Sequence, residues 1–450
     1  MRHAPPSALL QLRSHAPVLP VVAVIALLAL PVAQGSEGAG PADVASGLLV
    51  LYCAIRQLRS RERPLSPVSV VVLGMPVVGL ALAAMGASSV GAGVGGLGRY
   101  LQIFVLVPAA VLLLVRDRAD FRALAWSLVA LAGWQGAVGV HQYLTGTGAS
   151  YQGEDIRAVG TFGPQDVMGM STVVSFGLIC ALGLALGQAG TRHRALAAGC
   201  AVALLLPLAL SFSRGAWIAT AATCTLQLLL AGVRRALAAG AAVLAAGIVL
   251  IGGFGAGTTM LQDRIDSITQ VTDAPDQSVV DRYTLWASAV AIWREHPLTG
   301  VGLKDFPAYR DGHAPLALSS GSDTEGAGEG FSRQPLLSPH NMYLLVLAEQ
   351  GLIGLVALAG GWLALLVCGL RELGRAHRSG TGLDCALIGC GLLIWQLTDF
   401  VYADIGGPST VLTAVSLGLV TWWALAGADR AEPLPATPAP RRPAEQAAAR

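Results

Sequence analysis

The sequence is short of charge, nearly without lysine, and has no cysteine framework. Charged residues make up 12% of its 450 positions, against about 25% in an ordinary soluble domain, and that deficit excludes a soluble globular enzyme. Lys304 is the one lysine among 29 Lys and Arg residues, so arginine carries the positive charge, in short scattered clusters. With a formal net charge of only +2, this excludes a nucleic-acid footprint, which needs a basic patch or stripe. The 7 cysteines, Cys53, Cys180, Cys200, Cys224, Cys368, Cys385 and Cys390, are odd in number and lie in or beside apolar runs. That argues against a disulfide framework or a cysteine-based zinc site and leaves core packing as their role. No clear internal repeat is visible either.

What is present is apolar length. Hydrophobic residues make up 54% of the chain and its mean hydropathy is +0.61. Runs near the roughly 20 residues that cross a bilayer recur at 17–34, 43–57, 66–86, 98–115, 122–143, 167–188, 195–211, 215–232, 236–256, 342–370, 383–402 and 408–427. They predict an all-α, polytopic transmembrane bundle of about twelve spans. Continuously apolar runs exclude a barrel, whose strands alternate and are about half as long. The first run has basic residues before it and small ones after, as a signal peptide does; with so many later spans it is read as an uncleaved helix.

Arginine placement gives orientation. Short loops bearing Arg56, Arg59, Arg61 and Arg63; Arg116, Arg118 and Arg122; Arg192 and Arg194; Arg234 and Arg235; and Arg371, Arg375 and Arg378 fall on one side if the spans alternate. The positive-inside rule makes that side the cytoplasm, with both termini inside. The organisation is then about nine helices in 1–256, a large extracytoplasmic loop containing short helices in 257–340, about three helices in 341–428, and a Pro/Ala-rich disordered tail in 429–450.

Few charges remain outside. Arg99 begins a span, Arg157 lies in RAVGTFG (157–163) and Arg214 lies in SFSRGAW (211–217). For Arg99 and Arg157 two readings stand: an interfacial arginine paired with a carboxylate or lipid phosphate, or a functional group. For Arg214 the functional reading is stronger, because Ser211, Ser213 and Gly215 make a corner in which backbone and ligand can approach closely. In the long loop, 279–295 sets Arg282, Trp286, Ala289 and Trp293 at helical spacing, which reads as a docking face. Residues 257–271 suggest a second helix, HPLTGVGLKDF (296–306) a Pro/Gly-punctuated turn, and SSGSDTEGAGEG (319–330) a mobile acidic stretch. A loop of this length points to function.

SFSRGAW, then DRYTLWASAVAIWREHPLTGVGLKDF (281–306), then PHNMYLLVLAEQGLIGL (339–355), in that order, resemble the O-antigen ligase and polymerase superfamily of integral-membrane glycosyltransferases. RAVGTFGPQDVMG also resembles a turn of that family, with Gly163-Pro164-Gln165-Asp166 standing where Asn-Pro-Asn is usual.

The resemblance implies transfer of a glycan from a polyprenyl diphosphate donor to an acceptor hydroxyl at the outer face of a bacterial cytoplasmic membrane, with no nucleotide or metal cofactor. The implied partners are the lipid-linked donor, a glycan or lipid acceptor, and the membrane itself. It places Arg214 and Arg282 on the diphosphate, where a planar, permanently charged fork suits phosphate oxygens. Arg282 has an ordinary alternative, an ion pair with a loop carboxylate such as Asp276. His340, where the chain re-enters the membrane at a helix start, is the candidate base, since a helix N-terminus favours neutral imidazole; its ordinary alternative is a capping histidine. Ser213, Arg157, Tyr283, Asn341, Tyr343 and Glu349 are candidate substrate-binding residues, Glu349 being an intramembrane carboxylate for which an arginine partner is expected. His296 and His313 lack metal-ligand spacing and read as structural. A ligase and a polymerase differ only in acceptor. A lipid-linked sugar flippase shares the composition but calls for two related halves.

Overall fold

The computed structural model describes residues 16–31, 40–60, 65–151, 154–187, 190–232, 234, 277–407 and 409–429. Its helices are α1 (Leu19–Leu27), α2 (Pro41–Ser60), α3 (Pro67–Met85), α4 (Val90–Leu114), α5 (Arg118–Thr145), α6 (Gly169–Leu186), α7 (Thr191–Leu210), α8 (Arg214–Ala231), α9 (Gln277–Glu295), α10 (Phe306–His313), α11 (Met342–Ser379), α12 (Leu383–Asp399) and α13 (Thr410–Asp429). Six of the described helices, α3, α4, α5, α6, α7 and α11, are long and apolar enough to cross a membrane. The expected run 236–256 and the expected helix 257–271 lie outside the described residues.

Local chemistry sets these boundaries. Ser66 caps α3 by accepting from the Ser69 N–H at 3.1 Å, with Pro67 following where a missing N–H costs nothing. Asp117 caps α5 by accepting from Ala119 and Asp120, each at 2.9 Å, and Gly146, at φ 68°, ends it. Helix α4 passes through a π-helical turn at Gln102–Leu106, just before Pro108, whose ring crowds the carbonyl four residues back. Small residues let the helices close on one another. A Cβ on Gly79 of α3 would stand 2.5 Å from the Gly354 Cα of α11, and one on Gly177 of α6 would stand 2.1 Å from the Ala132 Cβ of α5.

Polar contacts collect at two opposite ends of the bundle. At one end Arg122 binds Asp384 (3.1 Å), Arg116 binds Asp120 (3.0 Å), and Arg194 donates to the Ala185 carbonyl (3.0 Å). These are arginines of the predicted inside loops. At the other end Asp305 takes the Ser88 N–H at 2.6 Å, the Ala158 N–H donates to Leu210 O at 3.2 Å, and the Ser409 N–H donates to Asp166 at 3.0 Å. Arg99 pairs with Asp43 of α2, the ordinary reading of that residue.

The all-α expectation is corrected by a small sheet at that second end. Strands β1 (Ala149–Tyr151), β2 (Glu154–Arg157), β3 (Ser322–Gly326) and β4 (Glu329–Gln334) make an antiparallel sheet in the order β2-β1-β3-β4. Ala149 faces Gly326 and Tyr151 faces Thr324, so two distant loops form one cap. The stretch read as mobile, 319–330, contains β3 and the start of β4. Its turn runs through Gly326 (φ 94°), Ala327 (φ 51°) and Gly328 (φ 88°), a left-handed path that glycine takes without cost.

Candidate active site

Two corners at this end carry the predicted residues. The first is SFSRG. Helix α7 stops at Leu210, the Ser211 hydroxyl folds back onto the Leu208 carbonyl at 2.6 Å, and Phe212 takes a left-handed φ of 48°. The Ser213 hydroxyl accepts from the Ala216 N–H at 3.3 Å and donates to Met168 Sδ at 3.2 Å, so it serves as the cap of α8. Arg214 is thereby the first residue of that helix, half-buried, at the end where the helix dipole adds positive potential. The Tyr402 hydroxyl donates to the Gly215 carbonyl. A Cβ on Gly215 would lie 2.2 Å from the Tyr402 ring, so only glycine lets that ring sit here.

The second corner joins α9 to the start of α11. Helix α9 buries Asp281, Thr284, Leu285, Ser288, Ala289 and Ile292. Trp286 and Trp293 flank that face and anchor through their ring N–H groups, Trp286 to Pro339 O at 2.9 Å and Trp293 to Pro297 O at 3.2 Å. The stripe is a docking face, and what it docks includes the segment 338–342. That segment is held from the other side by the Met342 N–H, which donates to Phe400 O (2.9 Å) and Ala403 O (3.0 Å). Between these clamps His340 adopts φ 47°, a conformation a non-glycine residue keeps only where its surroundings enforce it.

Electrostatics links the second corner to the turn 399–404. Burial pulls the His340 imidazole below its ordinary value, the Asp404 carboxylate opposes this, and the Arg282 guanidinium adds to it. Arg282 is also within electrostatic reach of Asp399 and of Tyr402, the residue that holds the Arg214 corner. The arrangement thus sets a buried imidazole within electrostatic reach of a fixed cation. Asp276, offered as an ordinary partner for Arg282, lies outside the described residues.

The other predicted residues fall differently. Arg157 ends β2, opposite Ala149, and the next residue donates to Leu210 O, so it borders the first corner. Tyr283 is exposed, its ring set edge-on to Trp286 at 5.6 Å. Asn341 caps α11 by accepting from the Leu344 N–H at 3.0 Å. The Tyr343 hydroxyl donates to Leu397 O at 2.7 Å. The Glu349 carboxylate takes the backbone N–H of Phe306 at 3.3 Å, with Lys304 beside it, rather than an arginine. Glu349 therefore holds 296–306 across the kink of α11 at Gly351. His313 pairs with Glu295 at 3.1 Å, and the His296 ring lies edge-on to that of Tyr309 at 6.1 Å.

Sequence reasoning passed over the turn 399–407. Tyr402, Asp404 and Asp399 stand around His340 and Arg282. A carboxylate and a tyrosine in a short loop on the sparsely charged side were the available signal. Residues 199–359 match the family model described as O-Antigen ligase. No curated protein matches the chain significantly.

Proposed function

We propose, from the premise that this chain carries a region of the O-antigen ligase and polymerase superfamily, that it transfers a glycan from a polyprenyl diphosphate carrier to an acceptor hydroxyl at the outer face of a bacterial cytoplasmic membrane. It does so within a bundle of about twelve spans whose arginine-bearing end is cytoplasmic. What supports this reading is that Arg282 lies within electrostatic reach of both His340 and Tyr402, and that the Tyr402 hydroxyl donates to the Gly215 carbonyl, next to Arg214.

The chemistry follows from charge. As the anomeric bond breaks, negative charge grows on the diphosphate. Arg282, and Arg214 at the start of α8, take up that charge without having to move in from solvent. His340, neutral at physiological pH because it is buried, accepts the acceptor hydroxyl's proton as the oxygen attacks. The attacking oxygen approaches opposite the leaving diphosphate, so the anomeric configuration inverts. Arg157 and Tyr283 border this space and contact the glycan.

Ligase and polymerase share these residues and differ in the acceptor: lipid A core, protein or another envelope molecule for the first, the next carrier-linked repeat for the second. Of the two, we propose the ligase. Purified protein supplied with carrier-linked glycan and acceptor is expected to form a new glycoside without energy input. Movement of carrier-linked glycan across vesicles with no glycoside formed would identify a flippase instead.

A further inference from the structure

The residue before the Pro339-His340 pair connects the imidazole's backbone to a carboxylate that no part of the mechanism above uses. The His340 N–H donates to Ser338 Oγ at 3.2 Å, and the Ser338 hydroxyl donates in turn to Asp404 Oδ2. Asp404 sits in the turn between α12 and α13, far along the chain from His340. The same turn grips the other side of His340, where Ala403 O receives the Met342 N–H at 3.0 Å. His340 is thus fixed on both flanks by 400–404, in a backbone conformation that it would leave without such restraint. Among the described residues its imidazole has no hydrogen-bond partner, so the ring nitrogens stay available while the backbone is locked.

We propose that Asp404, acting through Ser338, is a positioning residue for His340: it locks the left-handed backbone that aims the imidazole, and its charge sets how readily the imidazole takes a proton. This rests on the reading of His340 as the base. A carboxylate held by one hydroxyl and facing a histidine does two separable things. Its hydrogen bond fixes geometry, and its negative charge favours the protonated imidazole that forms during attack. Among the described residues, the charged groups that act on His340 are Asp404 from the turn and Arg282 from α9. Asp404 is itself in reach of Tyr100 of α4, Glu349 of α11 and Asp399 of α12. Asp404 opposes the effect of Arg282 on the imidazole, so removing its charge weakens the base.

The test is a pH profile of glycan transfer in right-side-out vesicles from a deletion strain carrying each variant, using the host's own carrier-linked glycan. Asp404→Asn keeps a hydrogen-bond acceptor for Ser338 and loses the charge. It is expected to move the acid limb to lower pH and to lower the plateau by roughly 10-fold or more. Ser338→Ala keeps the charge and breaks the relay; it is expected to leave the limb in place while the plateau falls by up to about 10²-fold, the cost of a misplaced group. Asp404→Glu is expected to restore the limb. A wild-type profile in Asp404→Asn, or a lower plateau with an unmoved limb, overturns the proposal. If Asp404→Asn does not accumulate in membranes, Ser338→Ala decides, and wild-type turnover there overturns it. His340→Ala, run in parallel, separates the two claims: wild-type turnover in that variant removes the base itself and the positioning role with it, whereas an inactive His340→Ala beside unchanged Asp404 and Ser338 variants removes only the positioning role.

Discussion

The indole N–H of Trp286 donates to the carbonyl oxygen of Pro339 at 2.9 Å, one residue before His340. Through this bond the helix that carries Arg282 also sets the path of the chain at the proposed base. Trp286→Phe keeps an aromatic ring on α9 and removes the N–H. One hydrogen bond is worth about 1 kcal/mol, so turnover is expected to fall about 5-fold with membrane accumulation unchanged. Quantitative blotting alongside vesicle transfer assays checks both.

Arg214 tests the fork at the other corner. Arg214→Lys keeps one positive charge at the start of α8 and loses the planar pair of donors that grips two phosphate oxygens. Most transfer activity is expected to go, and donor binding to weaken. Wild-type activity in Arg214→Ala removes the residue from the mechanism.

The pH dependence follows from the burial of His340. Only neutral imidazole can accept the proton, and burial holds its pKa below the ordinary value of about 6.5. Activity is therefore expected to sit on its plateau at neutral pH and to drop only as pH falls through that lowered value. A pH series of transfer rates checks this, and an acid limb above about 6.5 contradicts it.

Gly351 tests the kink of α11. At φ 65° and ψ −165° its backbone suits glycine alone, and a Cβ would stand 2.3 Å from the Leu298 carbonyl carbon. Gly351→Ala is expected to cost about 1–3 kcal/mol or more, seen as a lower melting temperature in detergent. Gly133→Ala, in α5 with open space around it, is expected to change little.

The six helices long enough to cross a membrane were legible because each is a continuous apolar run, unlike the alternating strands of a barrel. The caps were legible too: Ser213 before α8 and Asn341 before α11 are residue types that satisfy a helix's unpaired N–H groups. The sheet was not legible. Its strands are short and glycine-rich, and the pairing of Ala149 with Gly326 joins loops far apart in sequence. Arg282 and His340 were found through resemblance, whereas Asp404 and Tyr402 were hidden for the same reason as the sheet. Their importance comes from contacts with Ser338 and Gly215 across the bundle end, which no local pattern encodes. Glu349 shows the converse: an intramembrane carboxylate signals a buried partner, but not that the partner is the backbone of 304–306.

The most direct measurement is single-turnover glycan transfer by His340→Ala, with expression and donor binding measured on the same preparation. A general base contributes about 10² to 10⁴-fold, so turnover is expected to fall by that range while accumulation and donor binding stay near wild type. Wild-type turnover in His340→Ala contradicts the account.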